Sequence, residues 1–114
     1  MYGIETIIEI YGCNDKIKSK PEIQGYIDGI CNEIDMVKFG KAQIRRFHGG
    51  ELWGMGYSFM QFITTSSIVG HFINKGGIGF INIFSCEEYD VKKAVQFTKD
   101  YFEAKKVNFK KIVH

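Results

Sequence analysis

The sequence predicts an α+β fold, a two-layer sandwich in which a mostly antiparallel sheet carries two helices on one face. Three observations carry that prediction. Residues 56–86 read as three consecutive strands with short connections. Two segments of helical periodicity lie on either side of this stretch, over residues 21–34 and from 87 to about 105. Strand-like runs precede, separate and follow them, so the order is β-α-β-β-β-β-α-β. No linker, repeat or low-complexity segment interrupts the chain, which predicts one domain over residues 1–114.

Each element has its own signal. Ile4–Tyr11 (IETIIEIY) is a predicted strand, with Ile4, Ile8 and Ile10 on one face and Glu5, Ile7, Glu9 and Tyr11 on the other. Gly12-Cys13-Asn14-Asp15 is a loop. Ser19 is a candidate N-cap, and Pro21 and Glu22 suit a first helical turn. Ile23, Tyr26, Ile27, Ile30 and Ile34 then recur at helical spacing, although Gly25 and Gly29 are poor helix formers. Residues 41–47 resemble a strand, and 48–54 a Gly-rich turn or loop. In the central stretch, residues 57–64 are rich in aromatic and branched side chains. Residues 67–74 carry Ile68, Val69, Phe72 and Ile73, and residues 79–85 carry Phe80, Ile81, Ile83 and Phe84. Lys75-Gly76-Gly77 is a tight-turn signal, because Gly takes positive φ without steric cost. The other break, Thr64-Thr65-Ser66-Ser67, has neither Gly nor Pro and four hydroxyls. Val91, Ala94, Val95, Thr98, Tyr101 and Phe102 would form the buried face of the second helix. Lys106–Val113 closes the chain as a strand.

Composition bounds the class. The apolar share of 45% and charged share of 25% are those of a soluble globular domain. A net charge of +2 dictates no partner. The basic pairs Lys105-Lys106 and Lys110-Lys111 read as a solvated face, and Arg45-Arg46 is a weak signal, so no nucleic-acid partner is predicted. Cys13, Cys31 and Cys86 have no C-x-x-C spacing and cannot all pair, which predicts a reduced, cytoplasmic protein. Met1-Tyr2-Gly3 lacks a basic start, Glu5 and Glu9 interrupt the apolar run, and no run reaches membrane-spanning length, so neither a signal peptide nor a membrane partner is predicted. The loop His48-Gly49-Gly50-Glu51-Leu52-Trp53-Gly54 lacks the Lys-Ser/Thr ending of a phosphate loop. Its Trp53 could line a pocket or cover the core edge.

The chemistry gathers near the hydroxyl-rich break. Ser58, His71 and Cys86 lie near it in sequence, and a meander would bring them together with Ser66. Each has a plain alternative. Ser66 could be a turn residue, His71 a packed or exposed histidine, Cys86 a small buried hydrophobe and Glu9 a solvent-facing strand residue.

Together these residues resemble the small bacterial and archaeal S-adenosylmethionine decarboxylases, pyruvoyl enzymes of polyamine synthesis. Glu9-Ile10-Tyr11-Gly12-Cys13 matches most of the family's early Glu-aromatic-Tyr-x-Cys. Ser58 precedes Ser66 by the family spacing, His71 follows it by the family spacing, and Ile83-Phe84-Ser85-Cys86 matches hydrophobic-Phe-Thr-Cys. The resemblance spans nearly the whole chain. Thr65 replaces the family Glu before the processing serine, and Ser67 the His after it. Phe72-Ile73-Asn74-Lys75 replaces Thr-Trp-Pro-Glu, so an ammonium at Lys75 stands where the family places an acid near the nucleoside end of its substrate.

The resemblance implies self-cleavage between Thr65 and Ser66. The Ser66 hydroxyl attacks its own preceding carbonyl, which needs a strained turn and a donor for the oxyanion. A base then removes the serine α-proton, the ester leaves, and dehydroalanine hydrolyses to a pyruvoyl group and ammonia. His71 is the implied base, with Ser58 assisting at the carbonyl. The pyruvoyl cofactor then acts as electron sink for decarboxylation, and Cys86 returns the proton to carbon. Glu9, Trp53 and Lys75 are candidate substrate-binding residues, no metal is implied, and a homodimer is the implied assembly. The substrate is S-adenosylmethionine or another amino acid such as arginine or ornithine; a non-processing binding or regulatory homologue is the alternative from a different class.

Overall fold

The computed structural model describes residues 1–114. Six strands form one antiparallel sheet: β1 (Ile4–Tyr11), β2 (Gln43–His48), β3 (Met55–Ile63), β4 (Ser66–Ile73), β5 (Ile78–Ser85) and β6 (Lys106–Val113). Their order across the sheet is β2-β3-β4-β5-β1-β6. The central meander β3-β4-β5 follows from the short connections. The first strand then inserts between β5 and the last one, pairing antiparallel with both.

Two helices cover one face, α1 (Lys20–Glu33) and α3 (Val91–Tyr101). A single-turn helix, α2 (Gly50–Trp53), lies between β2 and β3, where the sequence predicts only a turn. A 3-10 turn over Asp15–Lys18 leads into α1. Ser19 caps α1 through the Glu22 N–H, and Pro21 sits in the first turn, where its missing N–H costs nothing. Asp90 caps α3 through the Lys93 N–H. Both helices are amphipathic, and all the predicted contact residues are buried except Tyr101, which is half-buried. Tyr26 sits at the centre of the core. Its ring meets Phe59, Phe97, Tyr101 and Phe102, and its hydroxyl bonds Thr98 Oγ1 at 2.7 Å. That bond satisfies a polar tip that burial would otherwise leave costly.

The helix α3 stops earlier than the periodicity predicts. Glu103 takes a left-handed φ of +46°, and the Ala104 N–H reaches back to the Lys99 carbonyl at 3.0 Å. This is a Schellman-type ending without the usual Gly. The chain then enters β6 directly.

Alternation along the strands gives the sheet two different faces. Ile8, Ile10, Phe59, Ile63, Ile68, Phe72, Ile81 and Ile83 point into the helical layer and are buried. The opposite face has no layer over it. It carries Met60, Phe62 and Phe80, all exposed, with the polar residues described next. No helix is long and apolar enough to cross a membrane.

Candidate active site

Register sets out one row of side chains across the open face. Arg45 on β2 opposes Ser58 on β3, Ser58 opposes His71 on β4, and His71 opposes Phe80 on β5. Phe80 opposes Glu9 on β1, and Glu9 opposes Asn108 on β6. Directly opposed residues in an antiparallel pair share a face, so the whole row faces the same way. Within it Ser58 Oγ and His71 Nδ1 lie 2.8 Å apart, a formed hydrogen bond. This leaves Nε2 as the ring's other proton site.

A cleft of about 460 Å³ lies over this pair, lined by Arg45, Phe47 and Met60 as well as Ser58 and His71. Its size and apolar walls suit a small organic ligand. A smaller cavity of about 170 Å³ joins Ser58 and His71 to Trp53 and Gly54. Trp53 therefore lines a pocket and does not close the core edge. Glu9 lines a separate depression of the same face, with Ile7 and Asn108, and its carboxylate accepts from the Tyr11 hydroxyl at 3.4 Å. Lys75 sits exposed in the turn after β4 and lines none of the cavities that contain His71.

The second cluster forms at the β3-β4 hairpin. Ile63 and Ser66 close it as a pair, leaving Thr64 and Thr65 at the tip. Thr65 takes φ +62°. That is a left-handed conformation, and for a β-branched residue a genuine outlier. Its carbonyl accepts the Cys86 backbone N–H at 3.1 Å. Ser66 opposes Ser85 at the end of β5, and the two hydroxyls are 2.6 Å apart. Ser85 is fully buried, and its oxygen also accepts the Glu87 N–H at 2.9 Å. Ser66 thus faces the helical layer, beside Met36.

The chain therefore assembles the predicted residues as two groups and not one. Ser58 and His71 meet on the open face. Thr65, Ser66 and Cys86 meet at the hairpin end, where Ser66 turns to the covered face. Ser66 and His71 are five residues apart on β4, roughly 17 Å at about 3.3 Å per residue. An odd separation also puts their side chains on opposite faces. The meander alone does not close the constellation that the sequence suggests.

Two participants escape the sequence reading. Ser85 appears there only as part of a strand-end motif, and the Cys86 main-chain N–H has no sequence signal of its own. Both depend on the register of β5 against β4. Of the three thiols, Cys86 alone is exposed. Burial pushes Cys13 and Cys31 each up to about 11, so both stay protonated at neutral pH. No group of three or more His, Cys, Asp or Glu side chains is arranged to hold a metal ion.

No curated protein sequence matches the chain. The fold is similar to the crystal structure of the adenosylmethionine decarboxylase from Aquifex aeolicus, with a TM-score of 0.78 over 99% of this chain and 93% of that one, at 16% identity. The sequence profile described as S-adenosylmethionine decarboxylase matches residues 4–114. The chain belongs to the S-adenosylmethionine decarboxylase family.

Proposed function

We propose that the protein is a pyruvoyl-dependent decarboxylase of S-adenosylmethionine that cleaves itself between Thr65 and Ser66. The observation that carries this is the state of that one peptide bond. It lies in a strained hairpin tip, with Thr65 at φ +62°, and its carbonyl oxygen is held by the Cys86 N–H at 3.1 Å. Acyl shift needs a strained geometry and a donor aimed at the developing oxyanion, and both stand at the candidate bond. Ser66 supplies the nucleophile. The hairpin fits the pyruvoyl group in a further respect: the exposed Cys86 directly follows the strand end that holds Ser66. When formed, that group would supply the electron sink for loss of carbon dioxide. Cys86 would hold the proton returned to carbon, and His71, oriented by Ser58, would act as base.

His71 lies too far from Ser66 in one chain to act on it. We therefore assign the active unit to a homodimer packed through the open face, so that His71 and Ser58 of one copy approach the main chain and α-proton of residue 66 of the other from the side opposite the Ser66 hydroxyl. The exposed Met60, Phe62 and Phe80 on that face support this arrangement.

A second reading of the substrate rests on the cleft. Arg45 lines it, no carboxylate does, and Lys75 replaces the family acid. With no carboxylate in the cleft, the sulfonium of S-adenosylmethionine and the cationic side chains of arginine and ornithine are disfavoured alike, while Arg45 offers a counter-charge to the carboxylate that all three carry, so the cleft leaves another amino acid open as substrate. Carbon dioxide release measured side by side with S-adenosylmethionine, arginine, ornithine and lysine separates the two. Turnover of S-adenosylmethionine alone would show that Lys75 is no obstacle.

Denaturing mass spectrometry of fresh and aged protein tests the processing. Two fragments, 1–65 and 66–114, with the second blocked by a pyruvoyl group, are expected, and Ser66→Ala should abolish them. A single intact chain that persists on ageing would overturn the reading and leave a non-processing binding protein.

A further inference from the structure

We propose that Ser85 is a positioning residue for the self-cleavage, holding Ser66 Oγ for attack on the Thr65 carbonyl. The inference rests on the processing just proposed and adds a residue to it.

Ser66 and Ser85 are directly opposed in register, with their oxygens 2.6 Å apart. Ser85 has no exposed surface, so water does not compete for its hydroxyl. Its orientation is set by its neighbours. The Ser85 oxygen accepts the Glu87 N–H at 2.9 Å, and Met36 Sδ, a weak acceptor, lies 3.9 Å from Ser85 Oγ and 3.8 Å from Ser66 Oγ. One lone pair is left to accept the Ser66 proton. A hydroxyl that donates to a fixed acceptor has its rotamer fixed and its oxygen made richer in electrons. Its lone pairs remain free for the carbonyl carbon.

Two consecutive residues at the end of β5 thus grip the two reacting groups. The Cys86 N–H holds the electrophile's oxygen, and Ser85 holds the nucleophile. Because both contacts come from one strand end, the relative placement of nucleophile and carbonyl is set by the β4-β5 register. This is the intramolecular orientation that speeds an attack.

The step balances without a co-reactant. The bond from Ser66 Oγ to the Thr65 carbonyl carbon forms, and the peptide C–N bond breaks. The proton of the Ser66 hydroxyl ends on the released α-nitrogen. The product is an ester isomer of the chain. Ser85 exchanges no atom with either group.

The test is timed cleavage of freshly translated full chain, read by denaturing mass spectrometry. Ser85→Ala should slow cleavage by about tenfold, the size of one lost neutral hydrogen bond. Ser85→Thr, which keeps the hydroxyl, should restore it. Ser85→Cys keeps a side chain of similar shape but accepts poorly, so it should also be slow; its melting transition shows that it folds, and it serves where the Ala variant does not. Hydroxylamine adds a step-specific readout, because it cuts only chains that have formed the ester. His71→Ala, blocked after the shift, should yield hydroxylamine-dependent fragments, whereas Ser85→Ala should yield few. Cleavage of folded Ser85→Ala and Ser85→Cys at the wild-type rate, or faster, would overturn the role of Ser85. A wild-type chain that never cleaves would instead overturn the processing itself, so the two failures are distinguishable.

Discussion

Thr65 holds a conformation that its own side chain opposes. A left-handed φ costs an L-residue about 1–2 kcal/mol, and β-branching stiffens the side chain further. Glycine carries no such penalty but loses about 0.5–1 kcal/mol in chain entropy. Thr65→Gly should therefore raise stability by up to about 1 kcal/mol, read as a higher melting temperature of a Ser66→Ala background that cannot cleave. In the cleavable chain the same change should slow fragment formation, since the strain that favours the shift is gone. Faster cleavage by the glycine variant would show that strain is no part of the reaction. Cys86 has two separable contributions. Its main-chain N–H survives substitution, so Cys86→Ala should still cleave; its thiol does not, so turnover should fall and more chains should end with alanine at residue 66. Unchanged turnover would remove the thiol from the mechanism. The candidate residues themselves were legible, because Ser58, Ser66, His71 and Cys86 stand at a recognisable spacing. The polar environment of Ser66 was not legible, because it depends on which β5 residue faces it.

At the scale of elements, α1 explains a pattern that composition alone leaves awkward. Gly25 and Gly29 weaken a helix, yet α1 runs through both. Each is a point of close approach to α3. A Cβ on Gly29 would come 2.4 Å from Phe97 Cζ, and one on Gly25 would come 2.6 Å from the Tyr101 hydroxyl. That hydroxyl donates to the Glu22 carbonyl at 2.6 Å, so it is not free to retreat. Phe97 is held against Tyr26 and Tyr101. Gly29→Ala gains about 1 kcal/mol in helix propensity but overpacks the interface, at a cost of roughly 1–3 kcal/mol. A net loss on the order of 1 kcal/mol is expected, measured by chemical denaturation; a more stable variant would mean that the interface has slack. The strands and both long helices were readable from periodicity, since Ile4, Ile8 and Ile10 on β1 and the Ile23-to-Ile34 series on α1 bury as their spacing requires. The helix ends were harder. Asp35 (φ +54°) ends α1 and Glu103 ends α3 in left-handed conformations that glycine usually takes. The one-turn α2 is too short to show a period.

The whole molecule separates its two chemical groups by face and by distance, and this makes assembly testable. A sheet with one helical layer leaves its other side open, and that side carries the Ser58–His71 hydrogen bond beside exposed Met60, Phe62 and Phe80. Burying large apolar side chains on association is favourable by about 25 cal/mol per Å². A two-fold axis over the open face would use the same patch from both copies, which is the usual form of a dimer interface. If His71 of one copy serves Ser66 of the other, the two functions can be put on different chains. A Ser66→Ala chain keeps His71 and cannot be cut. A His71→Ala chain keeps Ser66 and lacks the base. Each variant alone should yield no pyruvoyl-blocked 66–114 fragment. Co-expressed, they form mixed dimers with one complete site, and the blocked fragment should appear, derived from the His71→Ala chain alone. A mass tag on one partner identifies its origin. Dilution below the dimer dissociation constant before cleavage should suppress it. Absence of the fragment from a mixed dimer shown to form would mean that His71 and Ser66 work within one copy, after a rearrangement that brings β4's two ends together.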